Sequence, residues 1–216
     1  MMFGLGASCS TAAVDPRKVP DPATDLTVPA DAGPQTVVLA GGCFWCTETV
    51  FENWPGVTDV VSGYAGGTEA TANYQAVSAG QTDHAEVIKI TYDPAKVSYG
   101  QLLKVFFSIA HDPTQLNRQG PDTGRQYRSA VFYADDEQKQ VAEAYIKQLN
   151  ETGLWDKPIV TTLEPLDAFY VAEAYHQDYV QNNPNQPYVV QYALPKREKA
   201  IKNAESAEKP QADSAE

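Results

Sequence analysis

The segment of this sequence best suited to catalytic chemistry is residues 41–46, Gly-Gly-Cys-Phe-Trp-Cys. The two glycines predict a tight turn and the apolar residues that follow repeat at helical spacing, so Cys43 should lie where a strand passes into a helix. Free backbone N–H groups and the helix dipole favour a negative charge there, which predicts a lowered, reactive thiol pKa. The alternative is that Cys43 is a small buried hydrophobic residue.

Cys46 follows Cys43 at the Cys-x-x-Cys spacing, which at a helix start can close a redox disulfide. The alternative is a packed thiol in the first helical turn, and the spacing alone leaves both interpretations open. With Cys9 the chain has three cysteines in all. That number suffices neither for a disulfide framework nor for a four-ligand zinc site, so reactive thiol chemistry is expected.

Glu86 lies in a segment whose alternation predicts a β-strand, with Glu86 on the same face as Ile88 and Ile90. Burial on an apolar face raises a carboxyl pKa. Glu86 could therefore stay protonated near neutral pH and donate a proton to a reacting oxygen. The alternative is a carboxylate at a strand end that reaches solvent or pairs with arginine.

Two long irregular segments, residues 66–82 and 111–128, are candidate functional loops, because such loops in a compact domain are usually functional or disordered. They carry Tyr74, Asp122 and Tyr127, which could converge beside a strand end as hydrogen-bond donors and acceptors. Each of these three is, taken singly, also an ordinary loop or surface residue.

The histidines show no metal-binding spacing. His84, His111 and His176 fall on separate elements, without a close pair or a His-x-x-x-His pattern. We therefore expect structural histidines, no metal site and no cofactor.

The hydrophobic patterns predict the element order β, α, β, β, α, β, α, β. This order predicts an α/β (α+β) two-layer sandwich, with helices packed on a mixed, mainly antiparallel sheet. Residues 35–194 should form one catalytic domain. Residues 1–34 hold prolines without a hydrophobic period and should be a mobile leader, and residues 195–216 should be a flexible charged tail. The predicted strands are residues 36–40, 57–64, 84–92, 129–134 and 159–163.

Composition limits the partners and the location of the chain. Its 28 acidic and 16 basic residues give a net charge of -12, which argues against nucleic acid as a partner. No apolar run approaches the roughly 20 residues of a transmembrane helix. Residues 3–10 look like the end of a lipoprotein signal peptide, but a basic n-region is missing and the apolar stretch is short. A cytoplasmic location is therefore favoured, with a periplasmic or lipid-anchored cell-envelope location as the alternative.

The sequence resembles the A-type peptide methionine sulfoxide reductases, which carry a Gly-Cys-Phe-Trp segment followed by a nearby Glu. Further segments match that family in order between residue 36 and about residue 190, too many for coincidence. In addition to Tyr74, the matching segments are Tyr64-Ala65-Gly66-Gly67, His84-Ala85-Glu86-Val87, Tyr92-Asp93-Pro94, His111-Asp112-Pro113-Thr114, Asn117-Arg118-Gln119-Gly120, Asp122-Thr123-Gly124, Gln126-Tyr127-Arg128-Ser129 and Ala174-Tyr175-His176-Gln177.

The resemblance implies a ferredoxin-like core and an oxidoreductase that repairs oxidised proteins by reducing methionine S-sulfoxide, free or in proteins. It implies Cys43 as the nucleophile, which is left as a sulfenic acid. Phe44 and Trp45 would form an apolar wall for the substrate methyl group.

The resemblance also implies how the oxygen leaves and how the substrate is held. Glu86 would be the acid, and Tyr74 and Tyr127 would hydrogen-bond the sulfoxide oxygen. Asp122 would hold the backbone N–H of the methionine under repair. These roles fit the chemistry, because a sulfoxide oxygen is a poor leaving group and must gain a proton as the thiol attacks sulfur.

The sequence departs from the family in its cysteines. Many members carry resolving cysteines in the C-terminal tail, but residues 47–216 contain none. The sulfenic acid would be reduced by Cys46, which we favour, by Cys9, or directly by an external thiol such as glutathione or thioredoxin, the reductant we expect. Two other functions stay open: a thiol-disulfide oxidoreductase that uses Cys43 and Cys46, and a non-enzymatic methionine- or sulfoxide-binding module.

Overall fold

A computed structural model describes residues 14–29 and 32–207 of the protein. Among the described residues, no helix combines the length and the apolar character that crossing a membrane requires. The strands are β1 (Gln35–Gly41), β2 (Val57–Ala65), β3 (Ala85–Tyr92), β4 (Arg118–Gln119), β5 (Asp122–Thr123), β6 (Ser129–Tyr133), β7 (Thr162–Pro165) and β8 (Phe169–Val171). The α-helices are α1 (Phe44–Phe51), α2 (Tyr74–Ser78), α3 (Tyr99–Val105), α4 (Asp136–Glu151), α5 (Tyr179–Asn182) and α6 (Leu194–Ala207). Two π-helical turns, Phe106–Ala110 and Val189–Ala193, continue α3 and lead into α6. Short 3-10 turns are Pro16–Lys18, Glu69–Thr71, Arg125–Tyr127 and Ala174–His176.

Six strands form one sheet in the order β7-β6-β1-β3-β2-β8. Neighbouring strands are antiparallel except for β6 and β7, which are parallel. The inner order β6-β1-β3-β2, with α1 and α3 in the connections, is the βαββαβ arrangement of a ferredoxin-like core. The prediction of an α/β fold with a mixed, mainly antiparallel sheet is confirmed. Strands β4 and β5 form a separate two-stranded hairpin.

Strand alternation divides the buried residues between the two faces of the sheet. Leu39 and Ile88 belong to the larger cluster, which also contains residues of α1, α3 and α4. Val38 and Phe132 belong to a smaller cluster that contains residues of the strands alone together with the partly buried Leu166 and Phe169. Glu86 lies two residues before Ile88 in β3, so it faces the helical layer, where α1 begins.

The last predicted strand is displaced along the chain. The sequence indicated a strand over residues 159–163, whereas β7 spans Thr162–Pro165. Ile159 is instead held by the Asn150 side chain, which accepts its backbone N–H at 2.9 Å, and its own side chain is buried in the larger cluster. The same apolar run therefore supplies one core residue before the strand begins.

The described part of the predicted mobile leader makes specific contacts with the domain. Val19 is buried, at 1% exposure. The Tyr145 hydroxyl donates to the Pro20 carbonyl at 2.8 Å, and the Gly100 N–H donates to Asp25 at 2.8 Å. The segment lacks a hydrophobic period because it is extended and contributes single anchors and backbone acceptors, which sequence periodicity does not detect.

The described residues of the tail, which the sequence predicted to be flexible from residue 195, form α6. Pro195 lies in the first turn of α6, directly after the π-helical turn Val189–Ala193. Ala193, Ala200 and Ala204, at helical spacing, are all buried. Small side chains let α6 lie close against α1, and this packing stabilises a sequence whose polar composition suggested a weak helix.

Candidate active site

Cys43 lies between β1 and α1, directly before the first helical turn. Gly42 has a φ of +94°, and a Cβ at this position would lie 2.4 Å from Cβ of Gln119, so the turn requires glycine. The Cys43 carbonyl accepts the backbone N–H of Cys46 at 3.0 Å. Both cysteine side chains are buried, at 7% and 3% exposure. The turn therefore holds the two thiols together at the start of α1.

Glu86 lies in the middle of the sheet, in register with Tyr64 of β2, and is 1% exposed. Its Oε2 accepts the backbone N–H of Phe44 at 3.0 Å. Burial raises the pKa of the Glu86 carboxyl to about 8, even though the Phe44 N–H acts in the opposite direction. The carboxyl does not reach solvent, and it keeps its proton near neutral pH.

Burial raises the pKa of the Cys43 thiol well above its ordinary value, and Cys46 and Glu86 act in the same direction. The sequence predicted a lowered pKa. The difference has a physical cause, because burial of the thiol outweighs any effect of the helix start, whose first free N–H, that of Phe44, donates to Glu86. A hydrogen bond from Cys43 lowers the pKa of Cys46. Cys43 therefore rests as a neutral thiol.

Tyr74 and Tyr127 lie near Glu86 and Cys43, each half-buried. Burial raises the pKa of Tyr74 to about 12, and the neighbouring Glu86 and Cys43 contribute. The pKa of Tyr127 is raised by the same three causes in the same order. Within the described residues, neither phenol hydroxyl is hydrogen-bonded to another protein group. Both remain available as donors.

Phe44 and Trp45 take up different positions beside the thiols. Phe44 is 1% exposed, with its ring centroid 4.9 Å from that of His176. Trp45 is half-buried and stacks on Tyr179, with the ring centroids 3.7 Å apart and the planes 6° apart. Its indole N–H donates to Nδ1 of His176 at 3.1 Å. Trp45 thus offers surface for a ligand, and Phe44 packs behind it.

His176 and Glu173 hold this wall together, and sequence reasoning did not select either of them. His176 is 1% exposed, and its ring centroid lies 4.4 Å from that of Tyr74. Glu173 accepts the backbone N–H of Tyr74 and the hydroxyl of Tyr64, each at 2.8 Å. The match of Ala174-Tyr175-His176-Gln177 to the family pattern was a signal that could have singled out His176.

Asp122 lies in the β4–β5 hairpin and is connected to the thiols through Tyr188. The Tyr188 hydroxyl donates to Asp122 Oδ2 at 2.5 Å and lies 3.8 Å from Cys46 Sγ. Burial raises the pKa of Asp122, whereas Tyr188 and Lys196 lower it. No sequence pattern pointed to Tyr188. The structure thus brings Cys43, Cys46, Glu86, Tyr74, Tyr127, Trp45 and Asp122 into one site.

Comparison with known proteins identifies the family. A family model described as peptide methionine sulfoxide reductase matches residues 35–209. The chain belongs to the peptide methionine sulfoxide reductase family. One member, peptide methionine sulfoxide reductase MsrA 2 of Synechocystis sp., is 56% identical over 201 residues, covering 91% of this chain and 94% of its own length. A second, MsrA 2 of Mesorhizobium japonicum, is 54% identical over 167 residues, covering 77% and 86%.

Solved structures of family members share the fold. Reduced Mxr1 from Saccharomyces cerevisiae is 37% identical, with a TM-score of 0.66, covering 81% of this chain and 95% of that one. Methionine sulfoxide reductase A of Corynebacterium diphtheriae is 35% identical, with a TM-score of 0.61, covering 77% and 84%. The A-type resemblance inferred from the sequence motifs is therefore confirmed, and the family match extends through α6.

Proposed function

We propose that the protein reduces methionine S-sulfoxide, free or in proteins, to methionine, with Cys43 as the nucleophile and Glu86 as the acid. One observation carries this proposal: a buried carboxyl, protonated near neutral pH, is hydrogen-bonded to the N–H of the residue that follows Cys43. An acid fixed beside an attacking sulfur is what sulfoxide reduction requires.

The acid is needed because the sulfoxide oxygen must leave sulfur. As the Cys43 sulfur attacks the sulfoxide sulfur, Glu86 gives its proton to the oxygen, and Tyr74 and Tyr127 donate hydrogen bonds to it. The pKa of about 8 keeps Glu86 protonated at neutral pH. The high pKa values of both tyrosines keep them donors throughout the same range.

The half-buried Trp45, with Phe44 behind it, forms the apolar wall for the methyl group of the substrate. Asp122 accepts the backbone N–H of the methionine. A fixed wall, a fixed acceptor and donors on the oxygen give three points of contact, and three points distinguish the epimers of a chiral sulfoxide. The family resemblance assigns the S epimer.

The reaction balances without a cofactor. The Cys43 sulfur bonds to the sulfoxide sulfur, and the protonated oxygen leaves as water. Water then attacks the Cys43 sulfur and the S–S bond breaks, giving Cys43–SOH and the thioether, so that the cysteine sulfur is oxidised and the methionine sulfur reduced by two electrons. The proton that Glu86 donates is replaced by the proton that Cys43 loses on attack.

For recycling we propose that Cys46 attacks the Cys43 sulfenic acid, giving a disulfide and water. An external dithiol, thioredoxin by our expectation, then reduces the disulfide. Support comes from the contact between the two thiols and from the hydrogen bond that lowers the pKa of Cys46. Cys9, the third candidate, lies outside the described residues.

The activity is tested by following loss of each epimer of a blocked methionine sulfoxide, with dithiothreitol as the reductant. Turnover of the S epimer alone is expected. Reduction of insulin disulfides without sulfoxide turnover would instead establish a thiol-disulfide oxidoreductase. A bound but unreacted sulfoxide would establish a binding module.

The recycling route is tested by intact mass after one equivalent of substrate in the absence of reductant. A loss of two protons in the wild type, absent from a Cys46→Ser variant, is expected. If the loss persists in that variant, Cys46 has no part in resolution. A Cys9→Ser variant is the matched control and should behave as the wild type.

A further inference from the structure

Tyr188 joins the second cysteine to the β4–β5 hairpin. Its hydroxyl donates to Asp122 Oδ2 at 2.5 Å and accepts a hydrogen bond from the Cys46 thiol, with 3.8 Å between Sγ and Oη. The ring lies edge-on to Trp45, at 6.0 Å between centroids. The phenol has one proton and faces Asp122, Cys46 and Cys43, each of which can carry negative charge, so it serves only one of them as a donor at a time.

We infer that Tyr188 directs its proton either to Asp122 or to Cys46, and thereby couples occupation of Asp122 by a peptide backbone to the reactivity of Cys46. The inference deepens the proposed function and rests on it, because it takes Asp122 as the acceptor of the methionine backbone N–H.

Two arrangements follow from this geometry. With the site empty, the Tyr188 hydroxyl donates to Asp122, and Cys46 keeps its own proton, which it donates to the Tyr188 oxygen. With a methionine backbone bound, Asp122 has another donor, so that rotating the Tyr188 hydroxyl towards Cys46 leaves the carboxylate satisfied. The rotated hydroxyl then stabilises a Cys46 thiolate.

This coupling acts on the recycling step. The Cys46 thiolate attacks the sulfur of Cys43–SOH, the S–S bond forms, the S–O bond breaks, and the departing hydroxide takes a proton to become water. Product methionine still bound at Asp122 favours the thiolate and therefore the disulfide. Resolution is thus fastest directly after the reduction, while the sulfenic acid is protected from further oxidation.

Other charged groups face Cys46 and act on the same equilibrium. Cys43 lies on the same helical turn, Lys196 of α6 favours the thiolate, and the charge of Asp122 opposes it. Glu86 of β3 also interacts with Cys46. Binding of a neutral methionine derivative leaves the number of these charges unchanged, so a lowered pKa of Cys46 that requires Tyr188 is assigned to its hydroxyl.

The experiment uses the full chain with Cys9→Ser and Cys43→Ser, in which Cys46 is the remaining cysteine and the serine introduced in place of Cys43 retains a hydroxyl donor beside it. The rate of iodoacetamide alkylation is measured against pH, with and without saturating N-acetylmethionine N-methylamide. Bound ligand slows access of the reagent at every pH, and its exclusion of water raises the midpoint, opposite to the shift that the inference predicts. We expect the ligand to lower the midpoint by about one pH unit, a roughly tenfold change in the thiolate equilibrium.

In a Tyr188→Phe version of this protein, the ligand-dependent shift should vanish. Tyr192→Phe is the matched control, because its ring packs 5.0 Å from that of Tyr188, and there the shift should persist. An unmoved midpoint in the protein that retains Tyr188 overturns the inference, as does an equal shift after Tyr188→Phe. Single-turnover sulfoxide reduction by the Cys46→Ser protein, which retains Cys43, is measured in parallel, so failure of the proposed function is seen separately.

Discussion

The carboxyl of Glu86 accepts the backbone N–H of Phe44 at 3.0 Å. This bond joins the start of β3 to the first turn of α1, so it fixes the acid relative to the residue that follows Cys43. It also occupies the N–H that would otherwise stabilise a Cys43 thiolate. Burial keeps the acid protonated and the resting thiol neutral, and this hydrogen bond fixes the two groups relative to each other.

Replacing the acid should change the pH dependence of sulfoxide reduction. Since the pKa of Glu86 is about 8, its proton is present below that pH and is lost above it. The fraction of Cys43 present as thiolate rises with pH, so the wild-type single-turnover rate is divided by this fraction. The corrected rate should fall as the pH rises through about 8. Glu86→Gln should slow the step about a hundredfold or more at pH 8 and less in acid, where solvent supplies protons. If Glu86→Gln has the same pH–rate profile as the wild type, Glu86 is not the acid.

The two tyrosines should contribute through their hydroxyls. Tyr74→Phe and Tyr127→Phe should each lower kcat for the S epimer by about tenfold or more, with a smaller change in KM, because the hydrogen bonds strengthen as the oxygen gains charge. Tyr133→Phe is the control, since that ring lies against Lys139 on α4, and its kinetics should match the wild type. Steady-state kinetics decide this, and unchanged kcat in both variants would exclude the phenols.

Much of this site could be predicted from the sequence, because the main features of the site depend on short stretches of chain. Two glycines before a helical pattern located Cys43, and strand alternation located Glu86 on the helical side of the sheet. The two long irregular segments supply Tyr74, Tyr127 and Asp122, which the structure places near Cys43 and Glu86. Each inference needed only a short stretch of chain.

Features that depend on tertiary contacts could not be read in the same way. The pKa of Cys43 is raised first by burial, and the residues that bury it, among them Val180 and Val189, lie far away in the chain. Tyr188 reaches Asp122 across 66 residues. Packing against α1 likewise stabilises α6, whose composition indicates a flexible tail.

His176 should matter through Trp45. Burial lowers the pKa of His176, so at neutral pH its Nδ1 is free to accept the Trp45 N–H. His176→Phe removes the acceptor, and loss of about 1 kcal/mol should lower kcat/KM roughly fivefold, mainly through KM. His176→Asn, whose side-chain oxygen can replace Nδ1, should retain more of the affinity. Equal KM values for the wild type and the His176→Phe variant would show that the hydrogen bond from Trp45 to His176 does not position Trp45 for substrate binding.

Glu48 should make stability depend on pH. It is 1% exposed, and burial, followed by the neighbouring Glu52, raises its pKa to about 8. The folded state therefore holds a proton that the unfolded state has released, and the free energy of unfolding falls as the pH rises from about 4.5 to about 8. Glu48→Gln should become more stable relative to wild type across this range, by up to a few kcal/mol.

Urea unfolding at pH 5, 7 and 9 measures this difference. Glu198→Gln, at an exposed position on α6, is the control and should show no trend. A stability difference between Glu48→Gln and the wild type that is constant with pH would contradict the buried, protonated state of Glu48.

The most direct measurement of the chemistry at Cys43 is a single turnover by the Cys46→Ser protein without reductant, in the presence of dimedone. One equivalent of methionine should form from the S-sulfoxide, and peptide mass mapping should find the dimedone adduct on Cys43, because no Cys46 thiol remains to resolve the sulfenic acid. The same protein with Cys43→Ser added should form no methionine. Methionine formation by that second protein, or an adduct elsewhere, would contradict Cys43 as the attacking residue.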